Sequence, residues 1–281
     1  MKHQPPKGII LPGEKFNAHV HWSTKEDGPM SIIGREFPVT FGADFGFPNS
    51  ELLVVAGLSP AGDTERLANR ASFLSRIGLE PSQTAIPKLV HGAQIKYVTD
   101  HNPYVEDLVG DGMVTDRVKF ALTVGFGDCP SIVLFDGTSG ALALIHAGWK
   151  GIAGGIVEKA VSTMMSFGGQ KHRIQAFIGP GVRKCCYELD PVTASKVDGI
   201  AHQGHVHVDL QLIIGMRLAV QGIPAENIKG EEACTCCATV PISKARMHNG
   251  DNSVQKPLYF SYRREKSLDP LNTNMLVVSF H

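Results

Sequence analysis

Apolar residues cross the middle of the chain in short blocks separated by turn signals. Phe120, Leu122, Val124 and Phe126 alternate with other residues, and Gly127-Asp128-Cys129-Pro130 interrupts them. Ile132-Val133-Leu134-Phe135 follows as an unbroken run, then Asp136-Gly137-Thr138-Ser139-Gly140, then a second apolar run from Ala141 to Ile145. Two such runs joined by a turn predict an antiparallel hairpin. A turn centred on Thr138 pairs position 130 with position 146, so the hairpin carries Cys129 and His146 to the same end of a sheet. Helical spacing recurs elsewhere. Leu67, Ala71, Leu74 and Ile77 predict a helix from Thr64 to a stop at Gly78. Ile152, Ile156, Ala160 and Met164 predict one helix beginning just after Trp149-Lys150-Gly151. Ile174 to Ile178 and Leu276 to Phe280 read as strands, while Pro191 to Ala201 and Leu210 to Gly222 read as helices, with Pro224 beyond the latter. Residues 1–18, rich in Pro, Gly and Lys, are expected to be irregular. Strands and helices mix without a strict βαβ rhythm, which predicts an α+β fold in one domain over 1–281.

Charge narrows the function. The 281 residues carry 27 basic and 27 acidic side chains, a balance that disfavours a general binder of nucleic acid or anionic membrane. No apolar run approaches the roughly 18 residues of a membrane span, and no apolar h-region follows the N-terminus. Six cysteines bunch as Cys185-Cys186 and Cys234-Thr235-Cys236-Cys237 beside a lone Cys129, a poor match to a secreted disulfide framework. A reducing cytoplasm is the expected compartment. Nothing in the pattern requires an oligomer, and a monomer is expected.

Several segments carry possible chemistry. His91 stands in Val90-His91-Gly92, where a short strand meets a glycine. With Cys129 and His146 it makes a His2Cys set, and three protein ligands with an open fourth position is the pattern of a catalytic zinc site. The same Cys129 and His146 could be a nucleophile and its base, or a buried thiol and a hydrogen-bonded imidazole. Gly148, Gly151, Gly154 and Gly155 surround a helix start that could admit an anion, with Lys150 adding charge. Close packing of helix on sheet explains the same glycines. The two cysteine bunches could hold a second metal, but adjacent cysteines are expected to point apart, which favours buried thiols. His205-Val206-His207 could bind copper or zinc, or lie on a solvated strand face. Tyr259-Phe260-Ser261-Tyr262-Arg263-Arg264 could stack a base and hold an anion, or pack a strand.

Taken in order, these pieces resemble the YfiH family, the laccase-domain proteins long described as polyphenol oxidases. The resemblance rests on Val90-His91-Gly92, Asp111-Gly112-Met113-Val114-Thr115, Asp128-Cys129-Pro130, His146 to Gly151, Ile178-Gly179-Pro180, Cys185-Cys186-Tyr187-Glu188, Val208-Asp209-Leu210, Cys234-Thr235 and Phe260 to Arg264. Gly62-Asp63 and Asn69-Arg70 match the region before them, and the resemblance runs from about residue 20 to the end. It implies a mixed β-sandwich flanked by helices. It implies one zinc on His91, Cys129 and His146. It also implies phosphorolysis of purine nucleosides (adenosine, inosine, guanosine, methylthioadenosine), with adenosine deamination beside it. Purine nucleoside and phosphate are the expected partners. Asp128 is a candidate to orient a ligand or move a proton, and Lys25, Arg70 and Lys150 are candidates to hold phosphate or ribose. The chain departs from the family pattern at Lys25, where an Arg is usual, at Asp27, Leu89 and Gly127, and at Thr273-Asn274, which replaces a Gly-Arg pair. A cysteine hydrolase using Cys129 and His146, a non-catalytic zinc protein, and a copper phenol oxidase using His205 and His207 are the competing readings.

Overall fold

In the computed structural model the described residues are 7–13, 18–23, 60–99, 108–117, 120–241, 255–265 and 274–280. The chain runs through β1 (Lys7–Leu11), β2 (Ala18–Trp22), α1 (Pro60–Arg76), β3 (Thr84–Ala85), β4 (Ile95–Tyr97), β5 (Gly112–Thr115), β6 (Ala121–Phe126), β7 (Ser131–Asp136) and β8 (Ala141–His146). It continues through α2 (Trp149–Ala153), α3 (Ile156–Ser166), β9 (Gln175–Ile178), β10 (Glu188–Leu189), α4 (Pro191–Asp198), β11 (Val206–His207), α5 (Leu210–Val220), β12 (Ile228–Gly230), β13 (Thr239–Pro241), β14 (Gln255–Pro257), α6 (Tyr262–Glu265) and β15 (Asn274–Phe280). Two mixed sheets dominate, one ordered β1-β2-β15-β6-β3 and the other β12-β9-β7-β8-β5-β4. This is the expected α+β sandwich flanked by helices.

Period-two alternation in β7 and β8 explains the layers. Val133, Phe135, Leu142 and Leu144 face the other sheet and meet Leu122, Val124, Phe126, Leu276 and Val278. Ile132, Leu134, Ala141, Ala143 and Ile145 face α2, α3, α4 and α5. Both faces are covered, so the strands read as unbroken apolar runs. The same holds for β6. Its even positions join the inter-sheet core, whereas Ala121 packs with Met275 and Val277 under Phe73 and Leu74 of α1.

Four expectations are corrected. Residues 1–18 are not wholly irregular, because β1 pairs with β2 and β2 pairs with β15. The central hairpin is shifted by one residue, pairing Ser131 with His146 and Asp136 with Ala141. Its connection is a four-residue turn that closes with Gly140 at φ 74° rather than centring on Thr138. The single helix expected after Gly151 is two, broken at Gly154-Gly155, where Gly155 adopts φ 78°. The predicted first helix begins earlier, at Pro60, and ends at Arg76 before Gly78, whose φ of 76° suits the stop. The remaining helices end near their expected limits, with Asp190 and Asp209 as side-chain N-caps.

Candidate active site

The site lies at one end of β5, β7 and β8. His146 closes β8, Cys129 precedes β7, and Asp111 stands immediately before β5. Register does the placing. Gly112 pairs with Ile145, which sets Asp111 beside His146, and the His146 N–H donates to the Asp111 carbonyl at 2.7 Å. The Asp111 carboxylate is fully buried and makes three further contacts. It accepts the His91 N–H at 2.7 Å and the Gly92 N–H at 2.6 Å, and its Oδ1 lies 3.3 Å from His146 Nδ1. His91 itself has φ 56°, a left-handed conformation unusual outside glycine. The bond from its N–H to Asp111 holds it there, the kind of strain that clusters at functional sites.

The His91 and His146 rings meet edge to face with centroids 5.0 Å apart. His146 is buried, Cys129 half-buried and His91 exposed, so the group opens to solvent on the His91 side. Gly148 makes room for Cys129: a Cβ there would lie 2.8 Å from the Cys129 Sγ and 3.6 Å from His146 Cε1. Burial lowers the basicity of His146, but the neighbouring Cys129 and Asp111 outweigh it and raise the pKa to about 9. His91 moves the other way, lowered by burial and by His146 and Lys150. Burial pushes Asp111 up, yet the hydrogen bonds from His146 and the two backbone N–H groups hold it below the usual range. With Nδ1 turned to a carboxylate and a second side-chain hydrogen bond to Cys129, His146 has its ring orientation fixed, an outer-sphere arrangement common to metal-binding imidazoles. The donor chemistry of His91, Cys129 and His146 therefore suits a borderline-soft cation.

Asp128 does not face an open cavity. Its Oδ1 accepts from Ser261 Oγ at 2.7 Å and Thr235 Oγ1 at 2.8 Å, and its Oδ2 accepts the Arg263 N–H at 2.7 Å. Burial raises its pKa against those bonds. It anchors α6 and the Cys234 turn to the Cys129 turn. Buried Asn274 stitches the same region, accepting from Phe260 N–H at 3.1 Å and donating to the carbonyls of Phe126 and Phe260 at 3.1 and 3.0 Å.

The other candidates divide. Lys150 is exposed, its ammonium 5.7 Å above the Trp149 ring, and it lies close enough to His91 to affect it. Arg70 is buried beneath α1 and donates to Thr123 Oγ1 on β6 at 3.3 Å. Burial lowers its pKa to about 9. The structure does not bring it to His91, Cys129 and His146. Lys25, Asp27 and Thr273 lie outside the described residues. The glycines around Lys150 fit tightly, since a Cβ at Gly151 would lie 2.8 Å from the Gly92 carbonyl; helix-on-loop packing accounts for it. His205 and His207 are exposed, and His207 pairs with Glu188 across β10 and β11. The aromatic-basic cluster packs on itself: Arg263 stacks 4.8 Å over Tyr187, and Arg264 donates to the carbonyls of Tyr259, Thr235 and Cys236.

Two residues stand out only in three dimensions. Asp111 belongs to a stretch that carries the family resemblance, but nothing along the chain assigns it a role in the site. Tyr187 is buried beside Cys129, and burial first, then the charge of Cys129, raises its pKa. The cysteines correct another expectation. Cys185 and Cys237 are exposed rather than buried, and Cys185, Cys186, Cys234 and Cys237 converge with ligand atoms within 4.8 Å of one another. Adjacent Cys185 and Cys186 point together because residues 184–186 form a turn, not an extended strand.

Residues 61–269 match a family model described as "Multi-copper polyphenol oxidoreductase laccase". The chain is 30% identical over 206 residues to the purine nucleoside phosphorylase Rv2149c of Mycobacterium tuberculosis, covering 70% of this chain and 74% of the relative. It is 28% identical over 195 residues to the adenosine deaminase RL5 of an unknown prokaryotic organism, covering 63% and 74% respectively. The crystal structure of the hypothetical protein YfiH from Bacillus licheniformis superposes with a TM-score of 0.68 at 21% identity, covering 99% of each chain. The profile match over 61–269, joined to this fold, makes the chain a member of the YfiH-like laccase-domain family.

Proposed function

We propose that the chain is a purine nucleoside phosphorylase whose catalytic zinc is held by His91, Cys129 and His146. The observation that carries the reading is the buried Asp111, which ties the His91 backbone and the His146 ring into one unit against Cys129. The name of the Mycobacterium tuberculosis relative supports the reaction and the substrate class, a purine nucleoside with phosphate. When bound, zinc supplies a Lewis acid that lowers the proton affinity of an oxygen nucleophile.

The chain's own residues supply the rest. Asp111 fixes the orientation of the His146 imidazole against Cys129. Lys150, exposed beside His91, offers positive charge to phosphate at the mouth, and Lys25 is proposed for the same task. Asp128 acts as a positioning residue, because its oxygens are engaged with Ser261, Thr235 and Arg263 and hold the Cys129 turn. Arg70 supports the sheet beneath α1 and acts on the reaction only through it. Adenosine deamination is proposed as a second activity of the site, supported by the name of the relative RL5. A copper oxidase reading has less support: His205 and His207 are an exposed pair on one short segment, where such oxidases need several histidine copper ligands.

The test is incubation with adenosine and inosine, with and without phosphate, resolving free base from deaminated product. Base release that requires phosphate, is lost on chelation and returns with zinc supports the reading. Turnover abolished by thiol alkylation but indifferent to chelators would move the function to a Cys129–His146 hydrolase.

A further inference from the structure

We propose that Cys185, Cys186, Cys234 and Cys237 form a second metal site, an all-thiolate cage for one thiophilic d10 cation of the zinc class. Their Sγ atoms all lie within 4.8 Å of one another, with Cys185 and Cys237 3.4 Å apart and unbonded. Four sulfurs placed tetrahedrally at about 2.3 Å from zinc are separated by about 3.8 Å, so a small adjustment closes the cage.

The backbone is arranged for it. Two turns supply the ligands. In the first, the N–H groups of Cys186 and Tyr187 donate to the Arg183 carbonyl at 2.9 and 3.1 Å. In the second, the Ala238 N–H donates to the Cys234 carbonyl at 2.9 Å, giving a Cys-x-x-Cys knuckle. The turns are joined where the Thr235 N–H donates to the Gly181 carbonyl at 3.1 Å. The sulfur of Cys234 accepts the backbone N–H of Arg183 at 3.4 Å, which ties the second turn to the start of the first. Arg264, ion-paired with Glu265, donates to the carbonyls of Thr235 and Cys236 and braces the knuckle. Cys185 and Cys237 are exposed, which gives the ion a route in, and its binding releases the thiol protons to solvent.

The cage lies directly behind the candidate active site. Thr235, inside the knuckle, bonds Asp128, and Tyr187, next to Cys186, packs beside Cys129. An ion there would pin both loops that wall the Cys129 turn. The role is structural, and it stands whether or not the phosphorylase reading does.

The experiment counts zinc per chain in the full-length protein, in Cys129→Ala, and in each of these combined with Cys185→Ser and Cys237→Ser. Removing Cys185 and Cys237 is expected to lower bound zinc by one equivalent in both backgrounds. X-ray absorption at the zinc edge of the Cys129→Ala protein is expected to show sulfur neighbours at about 2.3 Å, which with Cys129 gone only the cage supplies. That spectrum needs no change in the cage, so it stands even if the serine variants fold poorly. Zinc content unaffected by the serine changes, absence of sulfur neighbours in the Cys129→Ala spectrum, or a Cys185–Cys237 disulfide in place of metal in freshly purified protein would each overturn the proposal.

Discussion

A buried aspartate sits at each end of the β7–β8 hairpin, Asp136 within it and Asp111 just before the neighbouring β5, and the two are held in different ways. At the turn end, Asp136 accepts the N–H groups of Thr138, Ser139 and Gln170 at 2.9, 3.1 and 2.8 Å. The Arg173 guanidinium lies 3.0 Å from its Oδ2. At the other end, Asp111 has two backbone donors and an imidazole. Asp136 is matched by a cation that never loses its charge. Asp111 is matched by a side chain whose charge comes and goes with a proton or is displaced by a metal. A permanently paired buried carboxylate is a device for holding a turn. A conditionally paired one, next to a second histidine and a thiol, is a device for binding.

The largest expected effect falls at the first end. Asp136→Ala strands three backbone donors and the Arg173 guanidinium, and is expected to cost about 3 kcal/mol of stability in urea unfolding while leaving zinc content unchanged. Asp111→Asn should invert that pattern. Zinc affinity, measured by competition with a chromogenic chelator, is expected to fall roughly 10- to 100-fold, as for other outer-sphere partners of metal-binding histidines. Gly148→Ala sharpens the comparison further. A methyl 2.8 Å from the Cys129 sulfur is expected to cost about 1–2 kcal/mol by thermal unfolding, with a larger relative loss of bound metal.

A further check is the pH response of the chelated protein. His146 has a folded pKa raised from 6.5 to about 9, so its contribution to stability is full below pH 6.5 and is lost as pH rises through about 9. The lowered pKa of Asp136 works at the acid end: its contribution is present above its unfolded pKa and is lost only as pH falls through the lower folded value. Urea midpoints across alkaline pH should therefore decline in the wild type and decline less in Asp111→Asn, which lacks part of the raising interaction. Zinc should reverse the alkaline slope, because it binds the neutral imidazole.

Much of this arrangement was legible along the chain because alternation and turn residues are local. The runs on either side of Asp136 to Gly140 foretell β7 and β8, and with them the meeting of Cys129 and His146. The one-residue register error came from the turn, whose closure on Gly140 depends on Asp136 accepting N–H groups ahead of it. The break at Gly154-Gly155 was hidden because Ile152 and Ile156 keep helical spacing across it. Asp111 was invisible as a site residue because its partners are 20 and 35 residues away and arrive only through strand pairing. The convergence of Cys185, Cys186, Cys234 and Cys237 is not legible along the chain, because residues 184–186 form a turn in which adjacent side chains need not point apart. Asn274 reads in sequence as a lost Gly-Arg pair, whereas in the fold its amide is fully used in joining β6 to the Phe260 loop.

The most direct test of the central claim is phosphate-dependent release of free purine base by zinc-loaded wild type and Asp111→Asn, assayed together with their folded fractions. The account predicts base release by the wild type only when phosphate is present, and its loss in a folded Asp111→Asn. Undiminished turnover in Asp111→Asn, or no phosphate-dependent release by the zinc-loaded wild type, would contradict it.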